Sequence, residues 1–116
     1  MGTKQRTNRR KHLRTNYRFD MRAKRVDANQ KQIVAALRKI PGVTVHLTHM
    51  VADGFPDIVV GYKGRNYLFE IKDGSKPPSA QKLTPDEQVF HDTWKGQVNI
   101  ATCFDDIYFS IIKPKQ

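Results

Sequence analysis

Pro56-Asp57 and Phe69-Glu70-Ile71-Lys72 are the residues of this chain whose types and spacing could do chemistry. Asp57 enters an apolar, strand-like run, Ile58-Val59-Val60. A turn at Tyr62-Lys63-Gly64-Arg65 follows, and a second strand-like run covers Asn66 to Lys72. Side chains alternate along a strand, so Glu70 and Lys72 share a face. A two-residue loop at Lys63-Gly64 pairs Tyr62 with Arg65, and the same register sets Asp57 opposite Glu70. Two carboxylates and an ammonium then converge on one patch of sheet. Such a patch can hold a divalent cation and orient a water molecule, which is what metal-assisted phosphodiester hydrolysis requires. Taken alone, a Glu-x-Lys pair reads equally as an exposed ion pair on an edge strand.

The flanking elements must position that hairpin. Asp27 is placed as an N-cap with Gln30 at the third helical position, and Ile33, Val34, Leu37 and Ile40 follow at helical spacing. Pro41-Gly42 stops the helix, and Val43 to Leu47 alternates as a first strand. Asp53-Gly54 marks a turn, and Pro56 suits the start of a strand. Residues 73–83 form a polar loop rich in breakers. Thr84-Pro85-Asp86-Glu87 starts a second helix, with Thr84 as N-cap, Pro85 at the first position and Glu87 closing a capping box. This helix is expected to bury Val89, Phe90, Thr93 and Trp94 and to end at Gly96, with Gln88, His91 and Lys95 on the opposite face. Val98 to Phe104 reads as a further strand. Beyond it, Asp105 could cap a last helix through Ile107, Phe109 and Ile112, or the same residues could form a strand. The fold class is α/β: a small mixed central sheet flanked by helices, in α-β-β-β-α-β order.

A length of 116 residues allows one domain at most. The formal charge of +10 is unevenly placed. Residues 1–26 hold ten Lys or Arg against one acid, Asp20, which leaves the remainder nearly neutral. The expected division is a basic N-terminal arm over residues 1–23 and a folded domain over 24–116. Such an arm reads either as a solubilising tail or as a segment for a polyanion, and nucleic acid is the favoured partner. Arg9, Arg10, Lys11, Arg14, Arg18, Arg22, Lys24 and Arg25 would contact phosphates, with Tyr17 and Phe19 able to stack on bases or to dock the arm on the domain. No apolar run is long enough for a transmembrane helix, and the N-terminus lacks the apolar stretch of a secretory signal, so no membrane partner and a cytoplasmic location are expected. Cys103, the single cysteine, is expected as a buried, inert thiol. The histidines have no cysteines beside them, so His46 and His49 read as ordinary loop or strand-end residues rather than zinc ligands.

The order of these elements, with Pro56-Asp57 and Glu70-Ile71-Lys72 on consecutive strands, resembles the PD-(D/E)xK nuclease superfamily. Within it the chain looks most like the small VRR-NUC-type nucleases, including phage-encoded stand-alone versions. Asp27-Ala28-Asn29-Gln30, Gly54-Phe55-Pro56-Asp57-Ile58-Val59-Val60-Gly61, Phe69-Glu70-Ile71-Lys72 and Leu83-Thr84-Pro85 with Gln88 carry the resemblance, over roughly residues 24–104. It implies a restriction-endonuclease-like core. It implies that Asp57, Glu70 and the main-chain carbonyl of Ile71 ligate Mg²⁺ or Mn²⁺, and that Lys72 positions the attacking water and offsets charge in the transition state. A lysine beside two carboxylates should stay charged, which makes it an orienting group rather than a general base. The implied products are a 5′-phosphate and a 3′-hydroxyl. Gln88 matches a glutamine often found in the second helix of the family.

One position departs from the pattern. Family members commonly carry a glutamate in the first helix, aimed at the metal; here the residues are Gln30 and Gln32, and Gln30 shares the stripe of Ile33, Val34 and Leu37. Gln30 either reaches the metal site as a neutral ligand or only closes the cap with Asp27. The resulting expectation is a metal-dependent, structure-selective endonuclease, similar to junction resolvases, acting on branched DNA as a homodimer. The rivals are a non-catalytic nucleic-acid-binding protein on a decayed nuclease scaffold and a small basic structural protein of the ribosome or nucleoid.

Overall fold

A computed structural model describes residues 27–112. The arm over 1–23 lies outside the described residues, as do 24–26 and 113–116, and with them every basic residue from Arg9 to Arg25 expected to contact phosphates. The elements run α1 (Ala28–Arg38), β1 (Val43–Leu47), β2 (Ile58–Tyr62), β3 (Arg65–Ile71), a 3₁₀ turn (Pro78–Gln81), α2 (Pro85–Thr93), β4 (Asn99–Ala101) and α3 (Phe104–Ile111). The chain is an α/β fold around one four-stranded mixed sheet of order β1-β2-β3-β4. The first two pairings are antiparallel and β3–β4 is parallel. No helix among the described residues is long and apolar enough to cross a membrane.

The β2–β3 hairpin closes through Lys63 at φ +49° and Gly64 at φ +78°. Two successive positive φ values make a turn whose twist matches that of the paired strands, and Gly64 adopts its value without strain. The register is therefore the one read from the sequence: Tyr62 faces Arg65 and Ile58 faces Phe69. One step further, Asp57 lies opposite Glu70. On its other side, Asp57 continues the ladder with β1, because Thr48 N–H donates to the Asp57 carbonyl (2.8 Å).

Period-two alternation puts Val43, Val45, Ile58, Val60, Phe69, Ile71 and Ala101 on one face of the sheet, where Ile33, Val34 and Leu37 of α1 and Ile107 and Ile111 of α3 cover them. Asp27 caps α1 by accepting from Gln30 N–H (2.9 Å). Asn29, in the first turn, donates to the carbonyl of Lys72 (3.0 Å) and ties α1 to the end of β3.

Several expectations need correction. β4 is three residues long, not the run from Val98 to Phe104. The Gln97 side chain does the pairing work ahead of it: its Oε1 accepts from Leu68 N–H (2.7 Å) and its Nε2 donates to the Leu68 carbonyl (2.8 Å). The last element is a helix, and it starts before Asp105. Cys103 is its N-cap, and Asp106 accepts from the Thr102 N–H (2.9 Å). Ile107 and Ile111, four apart, supply its buried face. Cys103 is exposed rather than buried, since capping places it outside the core. α2 buries none of its residues: Val89 is 60% and Trp94, the C-cap, is 44% exposed. That helix lies against the loop before β2, where Phe55 meets the Phe90 ring edge-on.

Candidate active site

Three segments meet at the end of β3. The first is the loop that delivers Asp57. Gly54 has φ +84°, and a Cβ there would lie 2.5 Å from the Asp86 carbonyl oxygen, so only glycine lets this loop approach the start of α2. Phe55 then meets the ring of Phe90 edge-on at 5.3 Å, and Phe90 stacks on Trp94 at 4.8 Å. Pro56 is fully buried. The second segment is β3 itself, which is flanked on both sides and is not an edge strand. The third is the first turn of α2.

Asp57 is fixed by its Oδ2, which accepts from Ile71 N–H (2.8 Å). The N–H and C=O of one strand residue point to the same side, so the Ile71 carbonyl also lies on the β2 side of β3. On the opposite side of β3, Lys72 N–H donates to the Ala101 carbonyl (3.0 Å) and locks the end of the strand to β4. Glu70 is only 2% exposed. The face that carries it is thus covered at this end and not open to solvent. Its Oε1 has no hydrogen-bond partner among the described residues, yet its carboxyl group lies within hydrogen-bonding reach of that of Asp57. A carboxyl without donors can be satisfied by keeping a proton and donating it, or by a cation. Burial first, and then the neighbouring Asp57 charge, push Glu70 up to about 9. Burial also raises Asp57, against the bond from Ile71, which lowers it.

Lys72 reaches the same place. Its Nζ stands 2.9 Å from Glu87 Oε1 and 3.7 Å from Glu70 Oε2. Burial alone would lower the lysine, but Glu87, Glu70 and Asp57 outweigh it and raise the group. Lys72 therefore stays charged. Glu87 is pulled the other way: burial raises it, and the bonds from Lys72 and Thr84 prevail and lower it.

Glu87 is the member of the cluster that sequence reasoning missed. Its place in the Thr84 capping box was legible and is present, with Thr84 N–H donating to Glu87 Oε1 (2.9 Å) and Glu87 N–H to Thr84 Oγ1 (3.3 Å). The cap explained the residue completely, so nothing in the local pattern pointed to a second contact. Lys72, fifteen residues earlier, donates to that same Oε1.

The other nominated residues divide. Gln30 is buried at 5% exposure, with Nε2 unpartnered, in the turn that Asn29 ties to Lys72. Gln32 is exposed. Gln88 is exposed too, and its Nε2 donates to Asp92 Oδ1 (2.9 Å) along the surface of α2, so the structure shows it bonded away from the Asp57–Glu70–Lys72 cluster.

Among the described residues no group of three or more His, Cys, Asp or Glu side chains is arranged to hold a metal ion. The donor set for one would be two carboxylates and a carbonyl: Asp57, Glu70 and Ile71. That set suits Mg²⁺ or Mn²⁺, which accept few protein oxygens and complete the shell with water and phosphate. The unpartnered Glu70 oxygen and the carboxyl pair sharing too little positive charge fit such an ion. Compared with known proteins, the chain matches no family model, no curated protein and no solved structure.

Proposed function

We propose that this chain is a divalent-cation-dependent nuclease that hydrolyses phosphodiester bonds of DNA, on a restriction-endonuclease-like core of the PD-(D/E)xK superfamily. The observation that carries the reading is Glu70. It is a buried carboxyl with an oxygen lacking a donor, against a second carboxyl, while the nearby ammonium binds more closely elsewhere. A carboxyl that serves only structure is normally supplied with enough donors to ionise. This pair is short of positive charge, and a hard cation supplies it.

Asp57, Glu70 and the Ile71 carbonyl would hold Mg²⁺ or Mn²⁺. The ion supplies Lewis-acid polarisation of a phosphate oxygen and a lowered water pKa. Lys72, kept charged by Glu87, offsets the negative charge that grows on the phosphoryl oxygens and orients the attacking water. The water oxygen forms the new bond to phosphorus and its proton leaves to solvent. The bond from phosphorus to the 3′ oxygen breaks, and that oxygen takes up a proton, leaving a 5′-phosphate and a 3′-hydroxyl. Arg9, Arg10, Lys11, Arg14, Arg18, Arg22, Lys24 and Arg25 would add affinity for any nucleic acid with steep salt dependence and little sequence choice. Branched DNA as substrate and a homodimer that places two sites on two strands follow from the resemblance to junction resolvases, as does a cytoplasmic, phage-encoded setting.

Gln30 favours a second reading. A buried amide stands where the resembled family commonly carries a glutamate, which fits a nucleic-acid-binding protein that has lost catalysis. One assay separates the two. Fork, four-way junction and linear DNA are incubated with Mg²⁺, Mn²⁺ or EDTA, using the parent chain and Lys72→Ala. Cleavage that needs the metal and disappears in the variant is the expected result. Tight binding without cleavage under every metal condition supports the binding protein instead.

A further inference from the structure

The cluster holds three carboxylates, Asp57, Glu70 and Glu87, and one ammonium, Lys72. Which carboxylate takes the ammonium decides what charge is left for a ligand. Lys72 Nζ is 2.9 Å from Glu87 Oε1 and 3.7 Å from Glu70 Oε2. Glu87 takes the shorter contact, and Glu87 is the partner anchored at a second point. Its Oε1 also accepts from Thr84 N–H (2.9 Å) in the capping box, so the first turn of α2 fixes that oxygen. The helix in turn is fixed to the Asp57 loop by the close approach at Gly54 and the Phe55–Phe90 contact. Lys72, on a flexible four-carbon stem, goes to wherever the fixed oxygen is.

Resting on the nuclease reading above, we propose that Glu87 is a positioning residue that holds the Lys72 ammonium off Glu70, so that the Asp57–Glu70 pair takes a divalent cation instead of the chain's own lysine. Without the Glu87 charge, the nearest anionic partner left to Lys72 is Glu70. Closing the 3.7 Å gap gives a direct ion pair that competes with the metal. It also draws the ammonium away from the position where it would meet a phosphate.

The test uses Mn²⁺ alone as the probe, with free Mn²⁺ measured by electron paramagnetic resonance during titration of the full chain. Glu87→Gln is the informative variant, because glutamine keeps an acceptor for Thr84 N–H and preserves the cap while removing the charge. Its dissociation constant for Mn²⁺ should rise about five-fold, the scale of a partly exposed charge pair. Thr84→Ala removes the capping hydroxyl but leaves the N–H that Glu87 accepts, so it should lower the melting temperature and leave Mn²⁺ affinity within about two-fold. Lys72→Met supplies the decisive background. If Glu87 acts through the lysine, Glu87→Gln in the Lys72→Met chain should change affinity by about two-fold or less.

Equal weakening by Glu87→Gln with and without Lys72 overturns the proposal, since the carboxylate would then act by its own field. Unchanged affinity in Glu87→Gln overturns it as well, while Mn²⁺ binding by the parent leaves the nuclease reading standing. A parent chain that takes up no Mn²⁺ at all sinks both.

Discussion

Phe69 and Glu70 are neighbours on β3 and almost equally buried, at 1% and 2% exposure. They point to opposite faces of the same sheet, and burial means opposite things on the two. Phe69 enters a face of buried Val, Ile and Ala, with Tyr62 and Tyr67 packed against it, covered by α1 and α3. There, every apolar contact stabilises the fold. Glu70 enters a corner where carboxylates outnumber the ammonium and one oxygen has no donor. There, burial opposes the charged form and stores an electrostatic demand. A fold whose levels of order agree everywhere would not contain the second arrangement, and places where they disagree are where function is expected.

Substitution at each of the two positions should expose this difference. Phe69→Ala should destabilise the chain by about 3–5 kcal/mol, read as a lower urea midpoint, because the cavity cannot be filled by the rigid layer above it. Glu70→Gln keeps the shape and removes the charge. It should reduce cleavage by about 100- to 1,000-fold, the loss expected when a transition-state electrostatic contact is removed. In EDTA near pH 8 it should be no less stable than the parent. A Glu70→Gln chain that unfolds as readily as Phe69→Ala would place both residues in one structural role and end the contrast.

pH separates the faces without mutation. Glu70 titrates near 9 in the folded chain against 4.5 as a free side chain. Between those values the folded state holds a proton that the unfolded state has released. Its contribution is complete below about pH 4.5 and is lost as pH rises through about 9. Asp57 is raised as well and has the same sign. Glu87, lowered, gives stability that is lost only as pH falls through its folded value, and Lys72, raised, only as pH rises above the ordinary lysine range. One proton held over three pH units sets an upper bound of about 4 kcal/mol. Metal-free melting temperature should therefore drop by at least about 5 °C between pH 5.5 and 8.5, which takes roughly 1 kcal/mol in a domain of this size. Excess Mn²⁺ should recover more of it at the higher pH. A flat profile in EDTA would mean that the carboxyl pair ionises freely and has no need of a cation.

How much of this was legible beforehand follows the range of the forces involved. The hairpin could be read because Lys63-Gly64 sets the turn and period two then carries the register to Asp57 and Glu70. Both helix starts could be read because caps are local, as Asp27 and Thr84 show. What escaped depends on contacts between distant segments. Val89, Phe90, Thr93 and Trp94 fall at helical spacing, but α2 lies against the Phe55 loop and buries none of them. β4 begins only at Asn99, after the Gln97 amide has paired with Leu68, and ends at Ala101 because Cys103 already caps α3; no alternation rule describes either. Glu87 was hidden by having a sufficient local reason to be there.

Gln30 offers the finest adjustment of the contrast. It comes from the apolar stripe of α1, yet it is a buried amide with an unpartnered nitrogen. Gln30→Glu keeps the volume, removes that orphan donor and adds a negative charge at a helix N-terminus, where the helix dipole favours one. If the first turn of α1 belongs with the carboxyl pair, the sign of the effect should depend on metal. In EDTA the added charge has no counter-ion and should lower stability by about 1 kcal/mol. In excess Mg²⁺ the loss should shrink or reverse, with about a three- to ten-fold gain in cation affinity, since a further carboxylate joins the oxygen shell. If Gln30 belongs instead with the apolar face, the variant should be destabilised to the same extent with and without Mg²⁺. Melting curves under the two conditions distinguish these outcomes, because only a residue that faces the cation makes the cost of its own charge depend on it.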